Sequence, residues 1–141
     1  MEVVSFNAKY LRAMVLQDAQ QFMSNLVFDD EYCEQLAAAG PAHTVLVGDK
    51  PIMCAGVAEM WANRYAAWAW VSKDAGRHMV GLTRIVDDYL NTRPYKRIEA
   101  YVDARFPQGH RWAKMLNFEF EGLMRSFGTQ GQDMAMYSRI Q

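Results

Sequence analysis

Apolar and polar positions follow two periodicities, which change at Pro41. Before it, short helical patterns dominate. Glu2 to Phe6 reads as a first strand, and Asn7 caps a helix through Leu11 and Met14. A second helical piece follows Asp18, with Phe22 and Leu26 on one face. Asp29 or Asp30 then caps a clearer helix, whose Tyr32, Cys33 and Leu36 recur at helical spacing. Gly40 is expected to take the left-handed position at its end, and Pro41 forbids continuation.

After Pro41 the pattern becomes that of strands. His43 to Val47, Ile52 to Trp61 and Tyr65 to Val71 are apolar runs. Gly48-Asp49-Lys50-Pro51 and Ala62-Asn63-Arg64 supply the turns, so the three runs read as an antiparallel meander. Gly76 to Asn91 is the strongest helix, with Met79, Leu82, Val86 and Tyr89 as its stripe. Ile98, Ala100 and Val102 alternate with Glu99, Tyr101 and Asp103, which predicts a half-buried strand with the polar set outward. Strand, long helix, strand implies a right-handed crossover between parallel strands. Pro107 to Leu116 reads as a short helix with Trp112, Met115 and Leu116 on its apolar side. A hairpin closes the chain, from Phe118 to Phe127, around Gly128 to Asp133, and back along Met134 to Ile140. The predicted fold is thus α/β with a mixed sheet, in one domain over residues 1–141.

Composition narrows the function classes. Of the 141 residues, 51% are hydrophobic and 22% charged, which is globular rather than disordered. The net charge is -1 with no long run of one sign, which argues against a general nucleic-acid surface. No apolar stretch approaches the roughly 20 residues of a membrane helix. The first residues carry no secretory pattern, and Cys33 and Cys54 are read as buried reduced thiols, so the expected compartment is the cytoplasm. Exposed aromatics would permit a homodimer. Trp68 and Trp70 share one face of a strand, which favours packing over base stacking.

The segment from Val71 to Met79 joins a strand to the longest helix. Helix-start N–H groups and the helix dipole attract anions, Gly76 permits close backbone approach, and Lys73, Arg77 and His78 add positive charge. The plainer alternative is an ordinary helix start with Asp74 as its cap. Neither G-x-x-x-x-G-K-[ST] nor G-x-G-x-x-G is present. The three histidines and two cysteines have no metal-ligand spacing, and Ser72 lacks a G-x-S-x-G context.

Lys73-Asp74-Ala75-Gly76-Arg77-His78 resembles the Q/R-x-x-G-x-G/A loop of the Gcn5-related N-acetyltransferase (GNAT) superfamily, with His78 in place of the second small residue. Leu116-Asn117-Phe118 after a short helix is similar to the family's A-x-x-L-Y-x-x-x-G-F ending, with Asn117 in place of glycine. The terminal hairpin is also typical. The resemblance covers roughly residues 43–140. His110-Arg111-Trp112 is further similar to GNAT-like proteins encoded by bacteriophages, for which the host cytoplasm would be the compartment.

The resemblance implies acetyl-CoA as cosubstrate. Its pyrophosphate would lie at Lys73, Gly76, Arg77, His78 and Met79, with His110 as a further contact. Its pantetheine amides would pair with the backbone of Trp70, Val71 and Ser72. The acceptor would be an amine on a small molecule or a protein. The tyrosine that many members carry near the CoA sulfur falls at Ala113, so Tyr101, Tyr137 or solvent would have to serve as acid. Glu59, in an apolar strand, Asp103, at a strand end, and His110 are the candidate bases. A non-catalytic GNAT-like binding or assembly protein, of phage type, is the alternative that Ala113 and His78 favour.

Overall fold

The computed structural model describes all 141 residues. β1 (Glu2–Ser5) leads into α1 (Ala8–Ala13), a 3₁₀ segment (Asp18–Phe28) and α2 (Asp30–Ala38). β2 (Ala42–Val47), β3 (Lys50–Trp61) and β4 (Arg64–Val71) follow. A 3₁₀ turn (Lys73–His78) then opens α3 (Met79–Asn91), before β5 (Arg97–Asp103), α4 (Pro107–Met115), β6 (Glu119–Met124) and β7 (Met134–Ile140). The strands are ordered β1-β2-β3-β4-β5-β7-β6. β4 and β5 are the parallel pair, as the crossover predicts, and their registered partners are Arg64 with Arg97, Tyr65 with Ile98 and Ala66 with Glu99. The chain forms two compact units.

The first unit comprises residues 1–59 and 67–82. Asn7 and Asp29 cap α1 and α2 as their sequence positions suggest, accepting from the amides of Lys9 and Tyr32. Leu11, Met14, Leu16, Val27, Cys33, Cys54 and Trp70 make a buried cluster, with Phe6, Met23, Leu26, Tyr32, Leu36 and Trp68 packed against it. Phe22 is exposed, contrary to the expected stripe, because a 3₁₀ segment presents a different face and buries Val27 instead. Gly40 is not in the left-handed region, since α2 ends on Ala39 in ordinary helical geometry. Gly40 serves a close approach: a Cβ there would overlap the backbone carbonyl oxygen of Val57. Gly56 does the same for Trp68, whose indole edge lies 2.7 Å from where a Cβ would be. Both cysteines are free and buried, and burial pushes the Cys54 thiol up to about 11.

The second unit comprises residues 60–66 and 83–141. Its buried residues include Leu90, Tyr95, Ile98, Ala113, Leu116, Phe118, Ala135 and Tyr137. Met115 is exposed, so Ala113 and Leu116 carry the inner side of α4. The expected outward set on β5 is also corrected: Glu99 is 1% exposed. It accepts from Arg64 Nε and Nη2 at 2.6 and 2.9 Å, from Arg97 Nε at 2.9 Å and from the Tyr101 hydroxyl at 2.9 Å. Arg97 in turn forks onto Glu121 at 2.7 and 2.8 Å, and Ser138 donates to the same carboxylate. These charge-assisted bonds satisfy a carboxylate that would otherwise be prohibitive to bury. No helix is long and apolar enough to cross a membrane.

Candidate functional site

The strand-to-helix junction begins at Ser72, whose side chain accepts from the Asp74 amide. Ser72 is therefore the cap, and Asp74 is not. The Asp74 carboxylate instead meets Lys50 Nζ at 2.6 Å, and that bond holds its pKa below the usual carboxylate range. Lys73, Gly76 and Arg77 are exposed, while His78 and Met79 are partly covered. A Cβ at Gly76 meets nothing within 4 Å, and its φ is not positive. The fold itself thus makes no demand for glycine there, and the space above its backbone is open.

The last residues of β4 are heavily engaged. Trp70 is buried, its indole N–H donating to the Tyr32 hydroxyl at 3.1 Å. The Val71 N–H donates to Gln20 Oε1 at 2.9 Å, and the Val71 carbonyl accepts from the Gln17 amide at 2.9 Å. Gln20 Nε2 also donates to the Ala69 carbonyl at 2.8 Å. The Ser72 amide turns the other way, to Ile52 O of β3 at 2.9 Å, and the Lys73 amide reaches Val15 O at 2.9 Å. Gln17 and Gln20 escaped sequence reasoning, because a polar residue on a short helix gives no periodic signal.

The other candidates belong to β3, β5, α4 and β7. Glu59 stands exposed near the end of β3, where its amide donates to Ala39 O. Asp103 is partly buried at the end of β5, and it accepts from the Arg105 amide at 2.9 Å. His110 Nδ1 lies 2.6 Å from the Tyr137 hydroxyl and Nε2 3.1 Å from Ala104 O, so both ring nitrogens have partners inside the second unit. Tyr137 is 2% exposed, and burial raises its phenol above the ordinary tyrosine value. Tyr101 is similarly raised, chiefly by burial and by its bond to Glu99. Ala113 is buried on α4.

No protein-family model matches the chain, and no curated protein matches it in sequence. Solved structures do match its fold. An N-acetyltransferase from Staphylococcus aureus Mu50 superposes with a TM-score of 0.75 at 12% identity, covering 99% of this chain and 97% of that one. An aminoglycoside 6'-acetyltransferase type Ii gives 0.73 at 12% identity over 99% and 97%. A ribosomal-protein-alanine N-acetyltransferase from Brucella melitensis gives 0.69 at 12% identity over 100% of both chains. Near-complete coverage in both directions, together with the meander, crossover and terminal hairpin, identifies the architecture of this chain as the GNAT acetyltransferase fold.

Proposed function

We propose that the chain is an acetyl-CoA-dependent N-acetyltransferase that transfers an acetyl group to an amine by direct attack. The observation that carries this reading is the open junction between β4 and α3 within a GNAT fold. Its residues fit a polyanionic cosubstrate. Lys73 and Arg77 are exposed cations, Gly76 leaves room for phosphate oxygens against the backbone, and Lys50 neutralises the one acid on the loop. Lys73, Gly76, Arg77 and His78 would hold the pyrophosphate, with Met79 beside it. The cosubstrate supplies the acetyl thioester. The chain's own task is to orient the amine, receive its proton and exclude water.

Glu59 and then Asp103 are the proposed proton acceptors. Glu59 is the more accessible, and Asp103 already holds the Arg105 amide. Tyr137 is a neutral phenol bonded to His110, suited to donating a proton rather than receiving one. The structural neighbours named above acetylate unlike acceptors, so the fold does not select among them.

A second reading, a non-catalytic GNAT-like binding or assembly protein, of phage type, is favoured by two observations. Ala113 stands where the resemblance would put a proton donor, and Gln20 already occupies the Val71 backbone. One experiment separates the readings. Calorimetry with acetyl-CoA is followed by a thiol-release screen over polyamines, aminoglycosides and peptide N-termini. Binding with turnover supports the enzyme, and Glu59→Gln should then lower kcat by about 10²-fold without changing acetyl-CoA affinity. Full turnover in both Glu59→Gln and Asp103→Asn would remove these bases. Binding without turnover across the whole screen favours the second reading, and absence of binding overturns the first.

A further inference from the structure

In a strand, the N–H and C=O of one residue point toward the same neighbour. Ser72 turns to β3, so Val71 and Ala69 present their groups at the opposite edge of β4. The registered pairing with β5 stops at Ala66, and beyond it this edge is met by the segment Val15–Gln20. Leu16 bridges Ser72 in antiparallel fashion, Gln17 donates to Val71 O, and the Gln20 carboxamide takes Val71 N–H with its oxygen while giving its NH₂ to Ala69 O. A side-chain amide with one acceptor and one donor thus reproduces the pairing of a peptide group on a strand edge. Gln17 Nε2 steadies Gln20 Oε1 from 3.3 Å.

The two ends of this strap are held differently. Leu16 is 4% exposed and anchored in the apolar cluster. Gln20, by contrast, belongs to a 3₁₀ segment, which makes poorer hydrogen bonds than an α-helix, and its neighbours Gln21 and Phe22 are exposed. Gln20 can therefore leave Val71 without unpacking Leu16.

We propose that Gln20 is a self-supplied amide that closes the β4 edge of the free protein, and that an amide-bearing ligand, here the pantetheine arm of acetyl-CoA, binds only by displacing it. This rests on the acyl-CoA reading above. A closed majority state lowers apparent affinity in proportion to the open fraction, so the strap tunes how much cosubstrate is needed for occupancy.

The test is acetyl-CoA titration by calorimetry of the full chain as wild type, Gln20→Ala and Gln17→Pro. Gln17 has φ -57 and ψ 153, which proline accepts, and the substitution deletes the N–H aimed at Val71 O together with the side-chain amide that steadies Gln20. Gln20→Ala should bind acetyl-CoA about tenfold more tightly and Gln17→Pro about threefold, in line with the loss of two and one neutral hydrogen bonds to β4. Adding acetyl-CoA to wild type should also speed hydrogen exchange at the Gln17 amide. Gln20→Met, which keeps length and loses both bonds, carries the test if Gln20→Ala fails to fold. Equal or weaker binding by the Gln20 variants, with Gln17 exchange unchanged, overturns the strap and leaves the acyl-CoA reading standing. No binding by any of these proteins overturns that reading, and the strap's gating role falls with it.

Discussion

The Tyr137 hydroxyl is 2.6 Å from His110 Nδ1, and toward a neutral imidazole it is the donor of that bond. The direction follows from the far side of the ring. Nε2 is 3.1 Å from the Ala104 carbonyl oxygen, which only accepts, so the neutral ring carries its proton on Nε2 and offers a lone pair at Nδ1. β7, α4 and the loop after β5 are thereby tied through one imidazole.

Tyr137→Phe removes the donor and leaves Nδ1 without a partner beside a buried ring. It should lower the unfolding free energy by about 1–3 kcal/mol, measured by urea titration. If Tyr137 also delivers a proton in turnover, kcat should fall in the variant under conditions where it is fully folded. An unchanged kcat would restrict Tyr137 to a structural role.

Two glycines should respond oppositely to alanine. Gly40→Ala forces a methyl into the Val57 carbonyl, and the backbone of β3 has to move, at a cost of about 1–3 kcal/mol or more. Gly76→Ala meets open space at an ordinary φ, so it should raise stability by about 0.4–1 kcal/mol through the unfolded chain. Thermal unfolding of the pair checks both signs.

Glu99 sets the acid limb of stability. Hydrogen bonds from Arg64 first, then Arg97 and Tyr101, outweigh desolvation and lower its pKa from 4.5 to about 2. The folded value lies below the unfolded one. The contribution is therefore complete above about pH 4.5 and lost as pH falls toward 2, and it amounts to roughly 3 kcal/mol at most. Glu121 titrates in the same window, but it is more exposed and contributes less. Urea midpoints between pH 2 and 6 should fall steeply in wild type and more gently in Glu99→Gln.

Lys73→Ala should weaken acetyl-CoA binding by about tenfold, the worth of one charge-assisted phosphate contact, and leave pantetheine binding nearly unchanged. Equal losses for the two ligands would point to altered folding of the junction instead.

Much of the architecture was legible because it rests on local chemistry. Asn7 and Asp29 cap where short polar residues precede apolar periodicity, and the runs separated at Gly48 and Asn63 pair as a meander, both turns using positive φ. Two of the misreadings have a tertiary cause. Glu99 alternates like an outward residue, and only guanidinium groups that the fold brings to it, one of them 35 positions away, make it an inward one. Gly40 sits where a helix cap would, yet its reason is the approach of a strand from residue 57. The Val71–Met79 junction was visible as a strand feeding a helix. Its occupant, Gln20, lies 51 positions from Val71 and matches no local pattern.

The Lys50–Asp74 pair also bears on how a ligand arrives. A chain of net charge -1 offers a polyanion no overall attraction. With Asp74 neutralised by the first residue of β3, Lys73 and Arg77 project a local positive field at the mouth of the junction. Encounter is then governed by this patch rather than by the whole molecule, and the association rate should fall as ionic strength rises. In Lys50→Ala the liberated carboxylate would oppose the same approach, slowing capture while the escape rate changes little.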